Sequence, residues 1–129
     1  MTPVRTVLLV DDDEICNMIS VSTLTRLNIA TKIHVTLSGA QAIDLLNESS
    51  KIAGAIPDII LLDLNMPVMD GFGFVDAFQK LSLPNKESIR IIIVTSSLDP
   101  KDIEKATKMG IDRVLIKPLS DEKLLAALQ

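Results

Sequence analysis

Three consecutive aspartates, Asp11, Asp12 and Asp13, follow the apolar run Val7-Leu8-Leu9-Val10. Another, Asp63, follows Ile59-Ile60-Leu61-Leu62, and the hydroxyls of Thr95 and Ser96 follow Ile91-Ile92-Ile93-Val94. Lys117, with Pro118 behind it, follows Val114-Leu115-Ile116. Converging carboxylates repel by about 4 kcal/mol per close pair at intermediate dielectric. A cluster of Asp11, Asp12 and Asp63 therefore needs a cation or raised pKa values. A hard divalent ion such as Mg²⁺ suits it, because that ion takes a few carboxylates together with water and phosphate oxygens. Thr95 and Lys117 add a hydroxyl donor and a fixed cation, an inventory for holding a transferred phosphoryl group.

Taken singly, each residue has a plainer role. An aspartate after a strand often caps the next helix, and Asp13 is expected to do so. Thr suits strands, and a lone Lys is usually a solvated charge. The shared placement, after four apolar runs, is what points to a site. The chain has no Gly-rich phosphate loop, which disfavours a nucleotide. His34 has no second His or nearby Cys to make a metal or triad pattern. Cys16 reads as a small core or boundary residue, and Met66 and Met69 as residues that shape a loop.

The three longer apolar runs are continuous rather than alternating, as in strands covered on both faces of a parallel sheet. Val114-Leu115-Ile116 is a similar, shorter run, whereas Lys32-Ile33-His34-Val35-Thr36-Leu37 alternates like a half-exposed edge strand. Between the strands, Ile15, Met18, Ile19, Leu24 and Leu27 predict the buried stripe of a first helix. Ala42, Ile43, Leu45 and Leu46 predict that of a second, and Phe74, Val75, Phe78 and Leu81 that of a third. Asp99 as N-cap, Pro100 at the first helical position and Gly110 past the last turn bound a fourth. Ser120, followed by Asp121 and Glu122, opens a fifth with negative charge at its positive dipole end. Pro84-Asn85-Lys86-Glu87-Ser88 is the most loop-like connection. Five strand–helix repeats call for an α/β fold with a parallel sheet and right-handed crossovers. The carboxyl ends of such strands share one rim, where ligands bind near the topological switch.

With 129 residues, 47% of them hydrophobic, the chain is expected to form one domain around one core. Three Phe and no Trp or Tyr make that core aliphatic. A net charge of −4 and the lack of any Lys/Arg run argue against direct nucleic-acid binding. The single Cys excludes an internal disulfide, and no apolar run is long enough to span a membrane. A cytoplasmic protein is the expectation.

Val10-Asp11-Asp12-Asp13, Leu62-Asp63-Leu64-Asn65-Met66-Pro67-Val68-Met69-Asp70-Gly71, Val94-Thr95-Ser96 and Ile116-Lys117-Pro118 together resemble the motif set of response-regulator receiver domains in two-component signalling. The resemblance implies a flavodoxin-like, doubly wound (βα)5 fold: a five-stranded parallel sheet in the order 2-1-3-4-5, with residues 1–129 as a single receiver domain. It implies a phosphoacceptor switch that assists its own phosphorylation and dephosphorylation, rather than an enzyme. Asp63 would take a phosphoryl group from a phosphohistidine of a histidine kinase or histidine phosphotransfer protein. Asp12 and Asp63 would bind Mg²⁺ directly, with the main-chain carbonyl of Asn65 as a further ligand and Asp11 acting through water. Lys117 would pair with Asp63 and then with the phosphoryl oxygens, Thr95 would turn its hydroxyl to them, and small Ser96 would leave room. Output would pass to a downstream protein, with no nucleic acid or membrane involved. Val114 departs from the pattern, since many receivers carry an aromatic residue there that couples to the Thr. Conformational change is therefore expected in the loop from Thr95 to Asp99 and the start of the fourth helix, with Leu98 and Ile103 repositioned and little movement at Val114. Two alternatives compete: a phosphohydrolase of the haloacid-dehalogenase type using Asp11-x-Asp13, and an interaction domain on the same fold that is never phosphorylated.

Overall fold

Continuous apolar runs become the middle strands of the sheet, where both faces need covering. Val4–Val10 (β1), Ile59–Asp63 (β3) and Arg90–Thr95 (β4) lie inside, between Ala30–Thr36 (β2) and Arg113–Ile116 (β5). All pairings are parallel and the order is β2-β1-β3-β4-β5. This computed structural model describes residues 4–52, 55–66, 68–96, 99–111 and 113–128, with backbone alone at residues 4 and 5. Pro67 and Leu98 lie outside the described residues.

Alternate residues of the middle strands feed two half-cores, one on each face, instead of one. Leu8, Val10, Ile60, Leu62 and Ile93 meet Ala42 and Leu46 of Gly39–Ser49 (α2), Phe74 and Phe78 of Gly71–Gln79 (α3) and Ala106 of Pro100–Lys108 (α4). Val7, Leu9, Ile59, Leu61 and Val94 meet Leu24 of Glu14–Arg26 (α1) and Leu124 of Asp121–Ala127 (α5). Each fully buried Leu, Ile or Val contributes about 1.5–3 kcal/mol of hydrophobic free energy, so the sheet interior is the rigid frame on which the rim is built.

The helix ends follow the side chains. Asp13, Ser38, Asp70, Asp99 and Ser120 each accept a bond from a backbone N–H in the first turn of the helix they cap. Pro100 opens α4, and Gly110, at φ +85°, closes it in the left-handed conformation that glycine tolerates. The 84–88 connection contains one 3-10 turn, Lys86–Ser88. A paired bond from Arg26 to Asp121, 2.6 and 2.7 Å, ties α1 to α5, and Lys105 of α4 stands 4.6 Å over the Phe72 ring of α3.

One expectation needs correction. On α1, Ile15 and Met18 are 68% and 70% exposed and Ile19 is exposed too, while Asn17, Thr23 and Leu24 are buried. Ile15, Met18 and Ile19 share an outward helical face; the inward face carries Asn17, with its buried hydrogen-bond partner, then Val21, Leu24 and Leu27 packed on the core. β5 is the second sheet edge, as the order 2-1-3-4-5 implies; Val114 and Leu115 pack half-buried against opposite half-cores, while Arg113 and Ile116 are exposed. No helix among the described residues is long and apolar enough to cross a membrane.

Candidate functional site

The strand order reverses between β1 and β3, and the acids stand there. Val10 pairs with Leu62, which brings the next residues, Asp11 and Asp63, side by side at the rim. Both are buried, at 7% and 5% exposure, whereas Asp12 is exposed. One carboxylate oxygen from each of Asp11, Asp12 and Asp63 lies within 4.8 Å of the others. This is a compact all-oxygen donor set that fits a small hard cation.

Lys117 reaches in from the end of β5. Its main-chain N–H donates to the Thr95 carbonyl at 2.7 Å, extending the β4–β5 pairing by one residue, and a cis peptide bond joins it to Pro118. The ammonium lies 2.8 Å from Asp11 Oδ2 and 3.3 Å from Asp63 Oδ1. In this state Lys117 bridges both acids and is closer to Asp11. The other Asp11 oxygen accepts from the Asp13 N–H at 2.9 Å.

These contacts set the charge states. Burial raises the Asp63 pKa above the usual aspartate value, and the neighbouring Asp11 charge raises it further; Lys117 and the Asn65 N–H oppose this without cancelling it. Burial pulls the Lys117 ammonium downward, but its hydrogen bond to Asp11 and the charges of Asp11 and Asp63 outweigh that, and its net shift is upward. The site is thus an aspartate with a raised pKa beside a firmly charged lysine. Cys16, nearby on α1, has its pKa raised, chiefly by burial, and stays a thiol. Between α1 and the connection from β5 to α5 an apolar cleft of about 290 Å³, walled by Cys16, Ile19, Ser20 and Leu119, opens on Asp11, Asp63 and Lys117.

Thr95 is placed differently. It is buried at the end of β4 and faces α4, beside Leu64, Ile93, Asp99, Ile103 and half-buried Val114. Ser96 is exposed just beyond it, and Asn65 is exposed two residues past Asp63, its N–H on the Asp63 carboxylate. The structure therefore gathers Asp11, Asp12, Asp63 and Lys117, brings in Asn65 through its backbone, and holds Thr95 on the other face of the sheet. His34 is half-buried on edge strand β2 and takes no part.

Two further residues support the site. A Cβ on Gly71 would stand 2.9 Å from both the Asp63 carbonyl oxygen and the Leu64 Cα. Only glycine lets the chain fold back this closely on the acid strand, a fold closed by the Gly71 N–H on the Leu64 carbonyl at 2.9 Å. Asn17, 5% exposed, donates from Nδ2 to the Asp11 carbonyl at 2.8 Å. The only trace of this in the sequence is an Asn at a helix-interior spacing from Leu24. Asn17→Ala would leave that buried carbonyl without its partner, so a loss of about 1–3 kcal/mol is expected in urea unfolding. A midpoint equal to that of the parent chain would show that water replaces the bond at no cost.

Comparison with known proteins agrees with this geometry. Residues 7–129 match the family described as response regulator receiver domain. A probable chemotaxis protein CheY of Rhizobium etli is 31% identical, over 95% of this chain and 88% of its own. The nitrate/nitrite response regulator NarL of Escherichia coli is 33% identical over 95% of this chain, which spans only 52% of that longer protein. Among solved structures, a two-component response regulator from Cytophaga hutchinsonii superposes with a TM-score of 0.89 at 34% identity, covering 98% of this chain and 96% of its own. The chain belongs to the response-regulator receiver family.

Proposed function

We propose that Asp63 is the phosphoacceptor of this receiver and that the chain, as a single domain, relays the modification to a downstream protein. The observation that carries this is the position of Asp63: buried at the switch point, with Asp11 and Asp12 within 4.8 Å and the Lys117 ammonium at 3.3 Å. A buried carboxylate crowded by other acids is poorly placed for structure but well placed to attack an electrophilic phosphorus.

In the reaction, an Asp63 carboxylate oxygen forms a bond to the phosphorus of a phosphohistidine on a histidine kinase or phosphotransfer protein. The P–N bond breaks, its electron pair returns to the imidazole, and the imidazole takes up a proton. The product is an acyl phosphate, which water cleaves to restore Asp63 and release inorganic phosphate. Asp12 and Asp63 would hold Mg²⁺ directly, with the Asn65 carbonyl, and Asp11 through water; the ion supplies positive charge next to the equatorial phosphoryl oxygens. Lys117, shared between two acids, exchanges its longer contact for the phosphoryl oxygens. Thr95 turns its hydroxyl toward them, and Ser96, small and exposed, leaves space. The protein acts as a switch, in the cytoplasm, without touching nucleic acid or membrane.

Intact mass after incubation with acetyl phosphate and Mg²⁺ tests the proposal. One added phosphoryl group, mapped to Asp63 by peptide sequencing after reductive trapping, is expected. No uptake would remove the acceptor role and favour a purely structural interaction domain. Uptake at Asp11 would instead favour a phosphohydrolase.

A further inference from the structure

The loop from Leu64 to Gly71 carries Asn65 past the acid cluster, and its geometry needs an external hold. Val68 sits at φ +69° with its side chain fully exposed. A β-branched residue is costly in that conformation and persists there only when its surroundings enforce it. No contact of Val68 itself supplies the force.

Met69 is the next residue, and its side chain lies between two glycines on two different helices. A Cβ on Gly39, the first residue of α2, would stand 2.6 Å from Met69 Sδ, 3.1 Å from its Cγ and 3.4 Å from its Cβ. A Cβ on Gly73, in the first turn of α3, would stand 3.2 Å from Met69 Cγ. The thioether stem thus fills a slot that exists because both positions lack side chains. On the far side of Met69 the chain is pinned again, by the Asp70 cap on the Gly73 N–H at 2.7 Å and by Gly71 against the Asp63 carbonyl.

We propose that Met69 is a positioning residue for the phosphoacceptor site: seated between Gly39 and Gly73, it holds the chain at strained Val68 so that Asn65 stays on Asp63. The inference rests on the function proposed above. The two glycines belong to different helices, so the wedge also fixes the starts of α2 and α3 relative to the acid strand. A methyl group at residue 39 drives the sulfur out of the slot; the flexible side chain swings away and the loop loses its anchor, while the sheet beneath is untouched.

The test compares Gly39→Ala, Met69→Ala, the double variant and Met69→Leu. Mg²⁺ affinity is followed by NMR titration, and amide hydrogen exchange is measured in the metal-free proteins. Each single Ala variant is expected to weaken Mg²⁺ about tenfold, the lower end of what loss of an outer-sphere support costs. Exchange should quicken at residues 64–71 and remain unchanged in β1 and β4. Met69→Leu, close in volume, should keep most of the affinity. The double variant should be no weaker than Met69→Ala, because the added methyl then has nothing to strike.

Losses that multiply in the double variant would overturn the proposal, as would loop exchange unaltered in both single variants. Quickened exchange spread over the strands would reduce Met69 to a core residue. If Gly39→Ala does not fold, the contrast between Met69→Ala and Met69→Leu decides alone: equal affinities overturn it. A wild-type chain that neither binds Mg²⁺ nor takes up phosphate would sink the functional reading, and the positioning role with it, even with the loop exchange as expected.

Discussion

Asp63→Asn is expected to take up no phosphoryl group from acetyl phosphate and, without metal, to be more stable than the wild-type chain at neutral pH. The amide keeps the shape of the carboxyl and removes both the nucleophile and its charge. Burial and the Asp11 charge raise the Asp63 pKa, so the folded chain holds this proton more tightly than the unfolded chain, whose value lies near 3.8. Stability contributed by Asp63 is therefore fully present below pH 3.8 and is lost as pH rises through its higher folded value. The variant has no such loss. It should match or fall below wild type near pH 3 and gain on it between there and neutrality. Two charges 4 Å apart repel by about 4 kcal/mol at intermediate dielectric, and Lys117 offsets much of this, leaving a gain on the order of 1 kcal/mol. Urea unfolding at pH 3, 5 and 7 measures it. Added Mg²⁺ should then stabilise wild type more than the variant, because only wild type offers the full carboxylate set. A variant less stable than wild type at pH 7 would mean that the attraction of Lys117 for Asp63 outweighs burial and Asp11 together.

The acid cluster was legible in the sequence for a simple reason. Asp11, Asp63 and Lys117 each directly follow an apolar run, and parallel strands deliver their carboxyl ends to one rim. Continuous hydrophobicity in β1, β3 and β4 reports burial on both faces, and these strands are where it was read correctly. In β5 the rule holds for Val114 and Leu115, which pack against opposite half-cores although the strand is a sheet edge. On α1 the reading failed. Ile15, Met18 and Ile19 form a coherent apolar face, yet periodicity gives the existence of a face and not its direction. Direction was settled by Asn17, whose amide pairs with the Asp11 carbonyl. Long-range side-chain bonds of this kind leave no periodic mark. Nor does the seat of Met69, which depends on Gly39 and Gly73, 34 residues apart (73 − 39) and on separate helices. Val114, visibly unusual in sequence, proves to be half-buried beside Thr95 and Ile103, on the face of the sheet away from Asp63.

Lys117→Met should be the most damaging single change to the metal-free fold. The lysine side chain is 18% exposed and touches two carboxylates whose side chains are 10% and 6% exposed. Removing one member of a buried ionic group leaves the others uncompensated, a loss of about 3–5 kcal/mol. The pH dependence follows from the shifts. Lys117 is raised, so the stability it contributes is complete below its unfolded value of 10.5 and is lost only as pH climbs through its still higher folded value. That contribution also needs ionised partners. The gap between wild type and variant should therefore open as pH rises through the carboxylate range, stay wide at neutrality and narrow only in strong alkali. Lys117→Arg separates charge from shape. It restores a cation and should recover most of the stability at pH 7, but its broad planar fork cannot be shared between Asp11 and a phosphoryl group as a compact ammonium can. Its phosphorylation by acetyl phosphate should stay low although the chain is folded. If Lys117→Met unfolds at the wild-type urea concentration at pH 7, Lys117 is a solvated charge that happens to lie near two acids. If Lys117→Arg is phosphorylated at the wild-type rate, the site requires only a positive charge there, and the geometry of the ammonium has no special part.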